Sequence, residues 1–215
     1  MKIVNLLVGG PTDLWPNDLK LGKIKDNWIG VDRGSFRLIE MGINPIVSIG
    51  DYDSMNDEEL SIVKSHVNDL RTFDPIKDDT DTQLALKIAN KELKADIINI
   101  YGATGGRLDH FLSNFLMMTE PRYKKIVSKI RIIDNQNTIS YFLPGSHTIK
   151  KELDKKYLAY LPLNEMNLTL NDVKYTLDNY HVARPISFAS NEFIGTKANF
   201  SFDKGILSVI QSKDS

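Results

Sequence analysis

Ile97-Ile98-Asn99-Ile100-Tyr101-Gly102-Ala103-Thr104-Gly105-Gly106-Arg107-Leu108-Asp109-His110 runs from an apolar β-type segment through a glycine turn into a helix-type segment. The helix pattern continues from Leu108 to Met118 and is expected to stop before Pro121. Adjacent Gly105 and Gly106 would let backbone N–H groups approach phosphate oxygens, and a helix N-terminus adds positive potential. Arg107 carries a planar fork suited to the same oxygens. The plainer reading is a tight surface turn with Arg107 paired to Asp109 and His110 as a capping residue.

Three more acidic clusters follow apolar runs upstream. Ile29-Gly30-Val31 leads to Asp32, and Pro45 to Gly50 leads to Asp51-Tyr52-Asp53-Ser54. Leu70 to Phe73 leads to Lys77-Asp78-Asp79-Thr80-Asp81. In open α/β sheets ligands bind beyond the carboxyl ends of the strands. Carboxylates gathered there repel one another unless a cation sits among them. Mg²⁺, held by one or two carboxylates plus substrate phosphates, meets that requirement. In an extended segment Asp51 and Asp53 would face one side and could address one cation. An Asx-type turn explains the pair as well. Capping accounts for one Asp and Thr80 in the third cluster but not for three Asp together, so Asp78 or Asp81 is a candidate ligand. Gly9-Gly10-Pro11, after the first apolar run, permits close backbone approach to a nucleotide or forms a simple turn. No P-loop string occurs in the chain.

Up to about Ile126, strand candidates near Ile3, Ile29, Ile46, Leu70 and Ile98 alternate with helix candidates over Ser35–Met41, Asp57–Val67, Asp81–Leu93 and Leu108–Met118. Thr80 and Gln83 have capping-box spacing at the start of the third helix. From about Lys129, runs such as Arg131–Ile133, Thr138–Leu143, Tyr157–Leu161, Asn167–Leu170, Lys197–Phe202 and Ile206–Ile210 are separated by turn residues. Those turns include Pro144-Gly145 and Asp178-Asn179. The expected fold is α/β: a Rossmann-like parallel-sheet domain over 1–126 carrying the acidic clusters and the glycine–arginine turn, then a small antiparallel β-sandwich over 127–215.

The bulk numbers narrow the chemistry. With 215 residues, 41% hydrophobic, the chain can bury roughly 70% of its unfolded surface without staples. A formal charge of −1 gives no long-range attraction for nucleic acid or anionic membrane. The absence of cysteine removes disulfides, thiolate catalysis and zinc–cysteine sites. The apolar start, Ile3 to Val8, is interrupted by Asn5 and reads as a buried strand rather than a leader. No stretch approaches a membrane span, and the expected location is the cytoplasm.

With the four clusters in hand, the chain resembles the thiamine pyrophosphokinase (thiamine diphosphokinase) family. The resemblance rests on Val31-Asp32-Arg33-Gly34, Ile49 to Ser54, Asp78-Asp79-Thr80-Asp81, and Gly102 to His110 followed by Asn114. Leu161-Pro162-Leu163, Lys174-Tyr175-Thr176-Leu177 and Ser190-Asn191-Glu192-Phe193 are similar to the family's thiamine-binding β domain. The resemblance implies transfer of an intact diphosphoryl group from ATP to the thiamine hydroxyl, with Mg²⁺, AMP as the leaving group, and a homodimer sharing its active sites. It implies Asp51, Asp53, Asp78 and Asp81 as metal ligands, and Asp51, Asp53, Asp81, Arg107 and Asp109 as the catalytic set. Gly10, Asp32, Arg33, Lys77, Gly105, Gly106 and His110 would bind the nucleotide. Tyr175, where some members carry Trp, would stack on the thiamine cation, and Ser190 and Asn191 would bond its aminopyrimidine. The proton acceptor stays open, with Asp81 the first choice. Asp172 stands where the family commonly has Gly, and His181 to Phe188 lacks a glycine expected before Ser190-Asn191. The rival readings are a D-x-D glycosyltransferase and a regulator that binds thiamine or nucleotide without turnover.

Overall fold

The computed structural model describes residues 1–73 and 78–214. Contacts divide the chain into one compact unit, Met1–Phe115 with Lys129–Asn135, and a second, Leu116–Ser128 with Gln136–Ser215.

The first unit holds β1 (Ile3–Leu7), α1 (Asn17–Lys20), β2 (Asn27–Val31), α2 (Arg33–Glu40), β3 (Val47–Gly50), α3 (Asp57–His66), β4 (Leu70–Thr72), α4 (Asp81–Lys87), β5 (Ile97–Tyr101), most of α5 (Leu108–Leu116) and β6 (Ile130–Ile133). Its strands lie in the order β6-β5-β1-β2-β3-β4, every pair parallel. The chain winds outward from β1 to β4, then returns to place β5 on the other side of β1. That reversal opens a crevice at the carboxyl ends of β1 and β5, the usual ligand position in such sheets. The four inner strands β1, β2, β3 and β5 are buried along nearly their whole length, as in parallel sheets covered on both faces. Leu7, Trp15, Leu19, Trp28, Leu38 and Tyr101 form one of the core clusters.

Two capping boxes fix helix starts beside the crevice. Thr80 and Gln83 exchange side-chain and backbone bonds at the start of α4, as their spacing predicts, and Asn56 and Glu59 do the same for α3. The helical pattern after Asp81 does not run on as regular α-helix: α4 ends at Lys87 and a π-turn covers Ile88–Glu92.

The second unit contains two antiparallel sheets. One orders β12 (Phe188–Glu192), β9 (Tyr157–Pro162), β14 (Leu207–Ser212) and β7 (Asn137–Phe142). The other orders β11 (Leu177–Val182), β10 (Met166–Asn171), β13 (Lys197–Phe202) and β8 (Gly145–Lys150). Alternate residues of both enter one core, where Leu158, Tyr160, Leu207 and Val209 meet Leu168, Leu170, Val182, Phe200 and Phe202. The Tyr160 and Phe200 rings meet edge to face at 5.5 Å.

Several elements differ from the sequence reading. Arg131–Ile133, placed among the antiparallel runs, is the sixth parallel strand, paired with β5. Only a short series of 3₁₀ turns separates it from α5, so its local texture gives no helix–strand alternation to read. Asp178-Asn179, read as a turn, lies inside β11 beside a register shift opposite Leu168–Leu170. There Asn179 adopts φ +42°, the left-handed geometry of a bulge. Gly145, also read as a turn, opens β8. No helix among the described residues is long and apolar enough to cross a membrane.

Candidate active site

A cleft of about 660 Å³ lies within the first unit. Of the residues singled out from sequence it is lined by Gly10, Asp32, Arg33, Asp53, Asp81, Gly105, Gly106, Arg107, His110 and Asn114. Asp51 and Asp109 stand just behind, each bonded to a neighbour on the wall. Asp78 is exposed and does not line the cleft, whereas Asp79 is mostly buried in an ion pair with Lys87. Lys77 lies outside the described residues.

The acidic wall is built by local backbone geometry. Asp32 ends β2 with φ +48° and ψ −131°, and its N–H donates to Ile49 O at 2.8 Å. A Cβ on Gly50 would sit 1.8 Å from Asp32 Oδ1, so only glycine admits that carboxylate. Oδ1 is buried and has no hydrogen-bond partner among the described residues. Burial, then the charges of Asp81 and Asp51, push the Asp32 pKa up to about 7, opposed by a hydrogen bond from the Tyr52 backbone.

The Asp51–Asp53 segment is a turn, the second of the two geometries the sequence left open. Tyr52 takes φ +61° and turns its ring inward, where its hydroxyl lies 3.0 Å from Ser48 Oγ in a buried chain that continues to Ser35. Asp51 Oδ1 accepts from the Asp53 N–H at 3.2 Å, so the Asx turn forms and still brings the two carboxylates together. The Asp51 charge is the largest influence raising the Asp53 pKa, and Asp81 adds to it.

This donor set fits a divalent cation completed by phosphate. No three Asp, Glu or His side chains among the described residues converge into a ready-made cage. Mg²⁺ does not need one, since it keeps waters and takes substrate phosphate oxygens as ligands. The buried Asp32 oxygen and the raised carboxyls of Asp32 and Asp53 are what such an ion would relieve.

The same cleft also has cationic lining. Gly105 and Gly106 adopt φ +75° and +65°, so the chain doubles back directly before α5. Arg107 forks onto Asp109 through Nε–Oδ1 at 3.1 Å and Nη2–Oδ2 at 2.6 Å. Both side chains are largely exposed, so the pair sets the guanidinium's direction more than it adds stability. Arg33 donates to the nearly buried Glu59 at 2.5 Å. Sequence reasoning missed Arg37, Thr82 and Ser113, which also line the cleft. Arg37 was findable, because it follows Arg33 by four residues on one helix.

In the second unit, Tyr175 is 58% exposed on a turn after Val173. Asn191, expected on the ligand, is instead buried, at 2% exposure, and its amide is engaged by backbone. Its Oδ1 accepts from Tyr175 N and Glu192 N, both at 2.9 Å, and its Nδ2 donates to Tyr175 O at 2.8 Å. Tyr175 is thus held on a fixed platform, with Lys174 Nζ 5.5 Å from its ring centroid and 2.8 Å from Glu192. Ser190 is exposed, with φ +59°, at the irregularity in β12. Asp172 adopts φ +61°, which explains glycine as the common residue there; here its carboxylate accepts from Asn199 Nδ2 at 2.6 Å. If Tyr175 stacks on substrate, Tyr175→Ala and Asn191→Ala raise the thiamine KM together while kcat falls less. Steady-state kinetics on folded variants checks this, and a normal KM for Asn191→Ala returns that residue to a purely structural role.

The chain matches the family described as thiamin pyrophosphokinase, catalytic domain, over residues 20–130. Residues 146–207 match the vitamin B1 binding domain of the same family. It is 40% identical to the thiamine pyrophosphokinase of Bacillus subtilis, with both chains covered in full. The crystal structure of that enzyme superposes with a TM-score of 0.88. A thiamin pyrophosphokinase family protein from Enterococcus faecalis, 43% identical, superposes at 0.93, again with full coverage of both chains. By these matches across both of its halves, the chain belongs to the thiamin pyrophosphokinase family, whose reaction is the formation of thiamine diphosphate.

Proposed function

We propose that the enzyme moves an intact diphosphoryl group from ATP to the primary hydroxyl of thiamine and releases AMP. A bond forms between the thiamine oxygen and the β-phosphorus. The bond from that phosphorus to the oxygen bridging the α-phosphorus breaks, and this oxygen leaves with AMP carrying the electron pair. The hydroxyl proton passes to a carboxylate, and Asp81, on the cleft wall at the start of α4, is our choice. The observation that carries this reading is the cleft itself, which gathers repelling carboxylates and a glycine–arginine turn in one lining.

Asp51, Asp53 and Asp81 would hold Mg²⁺; Asp78, expected among the ligands, is exposed outside the cleft lining. When bound, the ion supplies charge neutralisation on the phosphates. The protein's own groups do the rest. Arg107 stays protonated, cannot act as a base, and draws charge from the transferred group, while Asp109 aims it. Backbone at Gly10, Gly105 and Gly106, together with Asp32, Arg33, Lys77 and His110, binds the nucleotide. Tyr175 and Ser190 contact thiamine, and Asn191 acts by holding Tyr175 in place.

A homodimer with shared active sites is part of the proposal, as is a cytoplasmic location. Family membership supports the dimer, and so does the apolar stripe of Leu108, Leu112 and Leu116 exposed on α5. Thiamine diphosphate formation, followed with ATP and Mg²⁺, tests the metal requirement. It should fall to background with excess chelator and return when Mg²⁺ is restored; undiminished formation under chelation removes the divalent ion from the account.

A further inference from the structure

Arg37 lies on α2, one helical turn after Arg33, and reaches back to the turn that follows β1. Its Nη1 donates to Gly9 O at 3.1 Å and to Gly10 O at 2.9 Å. Its guanidinium carbon sits 5.6 Å from the ring centroid of the buried Trp15. Backbone on one side and an indole on the other therefore fix the head of the side chain, and both Arg37 and the two glycines line the cleft. Gly10 N, meanwhile, donates to Gly102 O at 2.8 Å, tying this turn to the one that leads to Arg107.

We propose that Arg37 is a positioning residue for the nucleoside triphosphate, holding the Gly9-Gly10 turn and masking its two carbonyl oxygens from the phosphate chain. The inference rests on the ATP-dependent reading above. Two carbonyl oxygens directed at a polyphosphate would repel it, and a guanidinium bonded to both removes that repulsion and leaves net positive charge on the wall. One guanidinium nitrogen serves both carbonyls while the planar head lies against the indole, and a lysine ammonium, a compact point charge on a shorter side chain, does not reproduce that combination. The role concerns the nucleotide alone and separates Arg37 from groups that act on thiamine or on the proton.

The test compares Arg37→Met, which keeps most of the stem and removes the donors, with Arg37→Lys, which keeps the charge. Calorimetry with ATP and Mg²⁺, without thiamine, gives the nucleotide Kd, and steady-state kinetics gives both KM values. The expected result is nucleotide affinity weakened about tenfold or more in Arg37→Met and by less, about three- to fivefold, in Arg37→Lys, with the thiamine KM within about twofold of the unaltered enzyme. Nucleotide affinity within twofold in either folded variant overturns the inference, as does an equal rise in both KM values. If Arg37→Met does not fold, Arg37→Lys decides. An unaltered protein that binds ATP but forms no thiamine diphosphate overturns the reaction, and the Kd comparison still decides the role of Arg37. An unaltered protein that binds no ATP overturns both.

Discussion

Asp53→Asn is expected to cut kcat by roughly 10²–10³-fold, the order seen when one group stabilising transition-state charge is removed, while the protein stays folded. Asp53 lines the cleft, and its strongest electrostatic influence is the neighbouring Asp51 carboxylate, with Asp81 adding to it. A side chain held among like charges, with only a backbone bond from Ser54 favouring its carboxylate, adds little to the stability of the metal-free protein. Its neutral isostere removes a repulsion, so the melting temperature should be unchanged or slightly higher. The combination is diagnostic, because a purely structural aspartate would show the opposite pattern: lower stability and near-normal turnover. Thermal unfolding and kcat measured on the same preparation check it. Full activity in Asp53→Asn would take that residue out of the reaction.

The second large effect is steric. Gly10→Ala should destabilise the protein by about 1–3 kcal/mol, the usual cost of forcing atoms into packed space, and lower its activity. A Cβ at Gly10 would lie 2.1 Å from Gly102 O and 2.8 Å from Gly102 C. Both obstacles are backbone, so no side-chain rotation relieves the clash; the turns after β1 and β5 must separate. Their separation breaks the 2.8 Å hydrogen bond from Gly10 N and shifts Gly105–Arg107 relative to the rest of the cleft. At this chain length the melting temperature should drop by about 2–4 °C for each kcal/mol lost. Gly9→Ala is the matched control. Nothing lies within 4 Å of a Cβ there, and its stability should stay within about 0.5 kcal/mol of the parent. Equal melting temperatures for the two variants would refute the close-approach reading of Gly10.

Where sequence and structure agree, the signal was local. The capping box at Thr80 and Gln83 is visible as spacing and forms with bonds of 2.9 and 3.3 Å. Apolar runs buried on both faces announce the four central parallel strands β1, β2, β3 and β5, and a glycine pair before an arginine announces the turn into α5. Tertiary context decided the rest. β11 has four consecutive exposed residues and no alternation, so it gives no strand pattern despite pairing with β10. The polarity of Asn191 suggests a ligand contact, and only its burial beneath the Tyr175 turn shows that backbone has claimed its amide. Asp51 and Asp53 converge through a left-handed Tyr52, a conformation that no spacing rule supplies for a tyrosine. Arg37 bonds to residues nearly thirty positions earlier, which helix spacing hints at but cannot prove.

The most direct test of the reaction is the stoichiometry of products after incubating the purified protein with thiamine, ATP and Mg²⁺. The account predicts AMP and thiamine diphosphate in equal amounts, with no thiamine monophosphate preceding them. ADP accompanied by thiamine monophosphate would contradict it, because attack would then have fallen on the γ-phosphorus and the diphosphoryl group would not have moved intact.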